Sequence, residues 1–508
     1  MNIVKRGTAV LLTALICISA LISCGGNGAE SPSADVIQTQ SADAENAVTE
    51  AIETNAYGNE IIPDDLPSDL DFGGIDIRIL HRSDGDQLDL EIFAADESGD
   101  VVETAVYRRN QKLEERLNVK IKETPVSATI HDGDTVANVV RKSVQSGSDD
   151  YDLCVNHMSG SVILVLEGMC RELNKLPYLD FDKPWWVTDF INNVTVYGKC
   201  YMMAGDIGLS MIESEYLMYY NKNLYGNYFS DNLYDLIESG GWTLDKLSAM
   251  CETAYSDLNG DSTADKEDQY GYGSTALRFV DGLLCSCDVR ITEKDENGEP
   301  YFVLEQNPRS FEFVEKVHSL FYDNNRSLMF ADSEKGDREI SDVFSAGRLM
   351  FIPNTMMGAA YLRDMNDDFG VIPMVKLNEE QAEYAAGVHN GFSAWLMLTT
   401  TPHAEENAAF CEAMCSESYN TVTQAYYEVA LKEKYSRDEE TQKMLDFIRS
   451  SLKFDFGYVN SGMLDTVMQQ FRDLVKAKPD KVASTMAKKM TSCQKALEKF
   501  LETYKELG

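Results

Sequence analysis

The sequence predicts an α/β protein whose first sheet is mostly parallel. Apolar and polar residues alternate from Ile75 to Ile79, as in a half-buried strand, and strand-like segments then alternate with amphipathic helical ones up to residue 166. Strand–helix–strand alternation is typical of parallel sheets joined by crossover helices. The 508 residues are 44% hydrophobic and 10% aromatic, which is enough apolar material for a sizeable core.

The same periodicity places the individual elements. They are strands at 75–79, 119–121 and 151–155, helices at 104–117 and 161–166, and a C-terminal amphipathic helix over 482–501. Ligands of such sheets bind at the carboxyl ends of the strands. Residues 81–84 and 156–160 are therefore candidate site segments, and Asp84, Asn156 and His157 are candidate ligand contacts.

The charge excludes two classes of partner. The chain has 84 Asp and Glu against 45 Lys and Arg, a formal net charge of −39 at pH 7. Nucleic acid and anionic lipid surfaces both attract basic proteins. We therefore expect neither to be a partner.

The first residues predict export and lipidation. Lys5 and Arg6 precede an apolar run at 9–22, which is typical of a signal peptide and too short to span a membrane. The Leu-Ile-Ser-Cys sequence ending at Cys24 resembles the lipobox of bacterial lipoproteins, in which the cysteine is acylated, for example by palmitate; an ordinary signal peptide is the alternative. Residues 1–23 are thus predicted to be the signal peptide, and 24–70 a lipidated, disordered acidic tether.

The other cysteines of the exported chain are predicted to be mostly free and buried. Nine remain after Cys24, an odd number, and none forms a Cys-x-x-Cys pair. Most lie in apolar segments, where a free thiol behaves as a small hydrophobic side chain.

Five segments occur in an order that resembles a known family. They are 103–119, 219–224 (YYNKNL), 241–245 (GWTLD), 344–350 (FSAGRLM) and 369–374 (FGVIPM). Behind a lipobox and an acidic tether, this order is similar to that of the extracellular solute-binding proteins of ABC importers, the group that includes maltose-binding protein. The resemblance covers most of residues 71–508.

The resemblance implies a two-lobed, periplasmic-binding-protein-like fold of class II, in which crossing strands join two α/β lobes that close on ligand like a hinge. The implied divisions are lobe 1 at 71–212 with 395–435, lobe 2 at 213–392 with 440–508, and crossings near 210–219 and 391–398. It further implies a monomer that captures a small solute, most often a carbohydrate. Permease subunits in the membrane would receive the solute, and the lipid would be the only membrane attachment.

Residues 257–268 have the ligand spacing of an EF-hand-like calcium loop. The predicted ligands are the side chains of Asp257, Asn259, Asp261, Asp265 and Asp268 and the carbonyl of Thr263. Two positions depart from the usual loop, because Ser262 replaces a glycine and Asp268 replaces a bidentate glutamate. The sequence predicts a structural Ca²⁺, with a solvated acidic loop as the alternative.

Sugars and similar polar rings are held by aromatic faces and a few fixed hydrogen-bond partners. Of the four tryptophans, Trp242 is interpreted as a packing residue at a helix start, and one of the adjacent Trp185 and Trp186 is expected to reach the cleft. The other candidate contacts are Asp206, Glu215, Asn354, Trp395, Phe456 and Tyr458. For Trp395 the sequence allows two interpretations, a ligand contact in the cleft or a packing residue at the hinge. Asp206 and Glu215 could accept sugar hydroxyls or pair with a cationic ligand.

Two other functional classes compete with a solute-binding protein, namely an enzyme and a surface adhesin. The chain has no Gly-x-Ser-x-Gly, His-Glu-x-x-His or nucleotide-binding motif and no internal repeats. The 84 Asp and Glu residues are numerous enough to include the pair of carboxylates that a glycoside hydrolase needs. We expect a binding protein without catalytic residues, and a non-sugar solute such as a peptide is the alternative within that class.

Overall fold

Two mixed sheets organise the described part of the chain. The structure, a computed structural model, describes residues 53–84, 88–97, 99–128, 132–275, 279–429, 439–477 and 481–507. The predicted signal peptide, Cys24 and the tether up to residue 52 lie outside these residues.

The strands form one four-stranded sheet, one five-stranded sheet and one separate pair. They are β1 (Ile75–Ser83), β2 (Val119–Ser127), β3 (Leu153–His157), β4 (Tyr216–Asn221), β5 (Tyr270–Thr275), β6 (Thr292–Lys294), β7 (Pro300–Phe302), β8 (Ser327–Phe330), β9 (Leu349–Thr355), β10 (Phe369–Ile372) and β11 (Ser393–Met397). The first sheet has the order β11–β3–β1–β2 and the second has the order β10–β4–β9–β5–β8, while β6 pairs with β7.

Helices cover these sheets. They are α1 (Val101–Leu117), α2 (Asp134–Ser146), α3 (Met158–Leu166), α4 (Thr188–Val194), α5 (Leu209–Glu213), α6 (Lys222–Tyr228), α7 (Leu233–Glu238), α8 (Leu244–Ala254), α9 (Val280–Ser286), α10 (Pro308–Tyr322), α11 (Glu334–Ser345), α12 (Ala404–Asn420), α13 (Val422–Val429), α14 (Glu439–Ser450), α15 (Phe456–Val459), α16 (Val467–Ala477) and α17 (Val482–Glu506). Short 3₁₀ helices lie at Asp89–Glu91, Leu173–Lys175, Met356–Leu362 and Ser461–Met463. The α1 helix begins three residues before the predicted position, because the Asp100 carboxylate accepts the N–H groups of Val102 and Glu103.

The first sheet has the predicted α/β character. β1 is parallel to both β2 and β3, and Ile77 and Ile79 of β1 are fully buried, as the alternation predicts. β11 comes from far along the chain and lies antiparallel to β3, with Trp395 opposite Val155. In the second sheet, β4 is antiparallel to β9 and β10, and its six residues are all buried. A strand covered on both faces has large apolar or aromatic side chains along most of its length, as residues 216–220 do.

Two connections between the sheets run side by side. The N–H of Tyr216 donates to the Gly387 carbonyl (2.9 Å), and the N–H of His389 donates to the Ser214 carbonyl (2.8 Å). We call residues 203–216 the first connection and residues 387–392 the second connection. The segment 391–398, predicted as a crossing, instead mostly forms β11 of the first sheet.

Both ends of the described chain contact elements outside their predicted regions. Within 53–70, assigned to the tether, the Asn55 side chain donates to the Asn420 carbonyl (3.0 Å) and Asp64 accepts from Arg116 (2.6 Å). These contacts hold the segment against α1 and α12. Helix α17, assigned to lobe 2, contacts α16 of that predicted lobe and also α3, and its Tyr504 ring lies 5.6 Å from that of Tyr201. The lobe boundaries stay a prediction.

The cysteine prediction is confirmed for the described residues. Their nine cysteines are free, and eight of them are buried. Burial raises the pKa of the Cys200 thiol to about 11, so this thiol stays protonated and unreactive near neutral pH.

Candidate functional site

A cavity of about 180 Å³ lies where the first connection meets α14. We call it the connection cavity. It is lined by Pro184, Trp185, Trp186, Val187, Thr188, Asp189, Asp206, Met211, Glu215, Arg449 and Leu452. Three of the predicted contacts, Trp185, Asp206 and Glu215, therefore lie together.

Volume alone does not select this cavity. A larger one, of about 430 Å³, is lined mainly by residues 55–57, α1 and α12, and its lining includes neither connection nor any predicted contact. The connection cavity instead has two buried carboxyl groups and two tryptophans among its lining residues, at the junction of the sheets. This chemistry makes it the candidate solute site.

Both adjacent tryptophans line the connection cavity, whereas the sequence suggested one. Their indole Nε1 groups donate to the two oxygens of the same carboxylate, Glu412 on α12, at 3.0 Å from Trp185 and 2.9 Å from Trp186. Burial raises the pKa of Glu412 to about 7, and the two indole N–H groups oppose this shift. One carboxylate thus fixes the orientation of both rings.

A partly buried ion cluster lines the same cavity. Arg449, on α14, contacts Asp206 through Nη2, donates to the Tyr427 hydroxyl (3.2 Å) and lies 3.9 Å from Glu215 Oε1. Asp206 is 3% exposed and Glu215 is fully buried. Burial raises the pKa of both carboxyls, that of Glu215 to about 8, because the positive charge of Arg449 only partly offsets the loss of water.

The candidate ligand contacts at the strand ends form hydrogen bonds with nearby residues and lie outside the connection cavity. The Asn156 amide donates to the Gly133 carbonyl (3.0 Å), and His157 Nδ1 accepts the N–H of Ser159 (3.1 Å) at the start of α3. Asp84 is exposed and accepts the N–H of Leu88 (3.2 Å). None of these side chains lines the connection cavity.

The remaining candidates also lie outside the cavity lining. Trp395 is fully buried on β11, and Asn354 lies partly exposed near the end of β9, where it accepts the N–H of Thr355 (2.8 Å). Phe456 packs edge-on against Phe500, with ring centroids 5.3 Å apart. The Tyr458 hydroxyl donates to the Val388 carbonyl (3.2 Å), so this residue supports the second connection.

Residues 111–439 match a protein family described as bacterial extracellular solute-binding protein. The match covers more than half of the chain. The chain belongs to this family. As a member of an extracellular solute-binding family, the protein acts outside the cytoplasm. A search of curated proteins gives no match.

Solved structures share the fold of this solute-binding protein. The galacto-N-biose/lacto-N-biose I-binding protein of Bifidobacterium longum, solved with lacto-N-biose, is 13% identical with a TM-score of 0.53, over 84% of this chain and 98% of that chain. A cyclo/maltodextrin-binding protein solved with maltotetraose is 13% identical with a TM-score of 0.52, and the match covers 84% of this chain and 96% of that chain. UgpB of Mycobacterium tuberculosis, solved with glycerophosphocholine, is 16% identical with a TM-score of 0.50, and the match covers 80% of this chain and 99% of that chain. The likeness confirms the predicted two-lobed fold.

A buried network joins the first connection of the solute-binding protein to the start of β11. Glu91 accepts the N–H of Ser210 (2.8 Å) and the hydroxyl of Ser393 (2.6 Å), and the N–H of Ser393 donates to the Ser210 hydroxyl (2.9 Å). Arg82 Nε completes the network by donating to the Ser393 hydroxyl (3.2 Å). The network fixes Ser210 of the first connection against Ser393 at the start of β11. The sequence reasoning missed Glu91, since a single glutamate outside any motif carries no local signal.

The predicted calcium loop has part of the expected geometry. Ser262 has a φ of 62°, the left-handed conformation that glycine usually supplies at this position. Asp257 accepts the N–H groups of Gly260 (2.6 Å) and Ser262 (2.9 Å), and Asp268 is fully buried. Among the described residues, no group of three or more His, Cys, Asp or Glu side chains is arranged to hold a metal ion. Calcium binding stays a prediction.

Calcium added to chelator-treated protein should raise its Tm by a few degrees, because an ion that binds only the folded loop stabilises it. Differential scanning calorimetry measures this shift, and isothermal calorimetry measures the heat of binding. Asp257→Asn should abolish both effects, whereas Asp332→Asn, outside the loop, should leave them unchanged. Absence of heat and of any Tm shift would exclude the ion.

In the part of the chain that the structure describes, no helix combines the length and apolar character needed to cross a membrane.

Proposed function

We propose that this solute-binding protein captures a carbohydrate in the connection cavity and delivers it, chemically unaltered, to the permease of an ABC importer. The two tryptophans and the buried carboxylate oxygens among the lining of the connection cavity carry this proposal. Aromatic faces cover the CH surfaces of sugar rings, and carboxylates accept their hydroxyl groups. Structures of the same fold with maltotetraose and lacto-N-biose support the ligand class.

The proposed mechanism is capture followed by presentation. A solute that contacts both sides of the connections favours the closed form by its additional affinity for that form. A lipid on Cys24 would hold the monomer at the membrane, near the permease, and separate subunits would hydrolyse ATP. A non-sugar solute is the second candidate, because UgpB, which has the same fold, was solved with glycerophosphocholine.

A screen of mono- and oligosaccharides should find at least one that raises the Tm, because a ligand at about 100 times its Kd adds about 2.7 kcal/mol to the stability of the folded state. The radius of gyration from solution scattering should fall at saturation, and chromatography should recover the sugar unchanged. Trp186→Ala should weaken the effect, whereas Tyr361→Ala, which truncates an exposed ring outside the connection cavity, should not. Conversion of the sugar at catalytic protein concentrations would contradict a binding role.

A further inference from the structure

The connection cavity contains carboxylate oxygens without hydrogen-bond donors. Both oxygens of Glu215 and Oδ2 of Asp206 are buried and accept no hydrogen bond from the described residues. Buried carboxylate oxygens in folded proteins are normally hydrogen-bonded or paired with a charge. A solute in this cavity must therefore supply donors.

The charges of the connection cavity are also unequal. Among its described lining residues, Arg449 is the only cation, whereas Asp189, Asp206 and Glu215 are acids. Asp189 accepts hydrogen bonds from the Phe454 N–H and from the Asn193 amide. Arg449 is committed to Asp206 and Tyr427, and its distance of 3.9 Å from Glu215 is too long for a hydrogen bond. One buried carboxylate therefore lacks a close positive partner.

We propose that the connection cavity recognises a solute with a protonated amino group, such as an amino sugar, and that Glu215 receives the ammonium. The inference rests on the proposed function, which places the solute in this cavity. An ammonium supplies the N–H donors that the oxygens lack, and its positive charge favours the ionised form of Glu215. Trp185 and Trp186 are among the lining residues of the same cavity, and indole faces attract cations. A neutral sugar would also satisfy the oxygens but would not favour that ionised form.

The size of the connection cavity agrees with one small charged group or ring. Its volume of about 180 Å³ is below the roughly 300–1,000 Å³ of pockets that enclose drug-sized ligands. The amino-bearing ring would occupy this cavity, and the rest of a longer solute would lie outside it.

Isothermal calorimetry on the full-length protein at neutral pH tests the inference with matched probes. The probes are D-glucosamine, N-acetyl-D-glucosamine, D-glucose, the chitosan disaccharide, N,N′-diacetylchitobiose and putrescine. Each amino sugar should bind at least about tenfold more tightly than its acetylated or hydroxyl counterpart, because only the ammonium forms charge-assisted hydrogen bonds with the buried carboxylate. Glu215→Gln should remove this preference, whereas Glu380→Gln, the same change at an exposed position, should retain it.

Asp206→Asn provides a second variant if Glu215→Gln does not fold. It frees Arg449 to balance Glu215 and should also reduce the preference for amines. Equal binding of amine and neutral probes, or a preference that survives in both variants, would overturn the inference and leave carbohydrate capture intact. Binding of putrescine without any sugar would support the amine inference and overturn the carbohydrate proposal. Binding of no probe would overturn the amine inference, and the wider sugar screen would then decide on the proposed function.

Discussion

Replacing Arg449 with methionine should lower the free energy of unfolding by about 3 kcal/mol, because it removes the cation that contacts the buried Asp206 carboxylate. Two carboxylates, Asp206 and Glu215, would then be buried without a cation from the described lining of the connection cavity. Methionine preserves most of the side-chain length, so the loss reports charge more than packing. Urea denaturation followed by circular dichroism measures the difference.

Arg108→Met is the matched control. Its guanidinium is 67% exposed and pairs with Glu97 on the surface, an arrangement that contributes about 0–1 kcal/mol. The double variant Arg449→Met/Asp206→Asn should recover part of the loss, since it also removes the carboxylate that Arg449 contacts. Equal losses for Arg449→Met and Arg108→Met would show that the buried pair does not stabilise the protein.

Local periodicity is sufficient to predict the elements of the first sheet. The alternation at Ile77 and Ile79 records which face of β1 is buried, and the structure buries both residues fully. Local periodicity does not predict the position of β11, in which Trp395 pairs with Val155 of the distant strand β3. No local pattern reports a pairing between segments so far apart in sequence, which is why residues 391–398 were expected to form a crossing.

The candidate site was only partly predictable. The strand-end rule selected Asn156 and His157, but polar groups at strand ends also bond to nearby backbone, and the structure uses both in that way. Arg449 was missed because its local sequence resembles any amphipathic helix, and only its partner Asp206 distinguishes it. Glu412 did have a signal, since it interrupts an otherwise apolar run at 408–415. An acid in such a run is normally buried with a partner.

The buried carboxyl of Glu215 should also make the protein less stable as the pH rises. Burial raises its pKa from 4.5 to about 8. Below pH 4.5 the group is protonated in both the folded and the unfolded chain, so it causes no pH-dependent loss of stability. Between these two values the unfolded chain releases the proton while the folded protein retains it, and stability falls until the pH exceeds the folded pKa.

Glu215→Gln should therefore be progressively more stable than the wild type as the pH rises from 4.5 to about 8. Glutamine has nearly the same shape and no charge, so the variant lacks this pH-dependent loss, which amounts to roughly 1.4 kcal/mol for each unit of pKa shift. Thermal and urea unfolding of both proteins across this range measure the difference, with Glu380→Gln as the exposed control. A constant difference between variant and wild type would mean that Glu215 ionises as easily in the folded protein as in the unfolded chain. In that case Arg449, at 3.9 Å, would already compensate its charge fully.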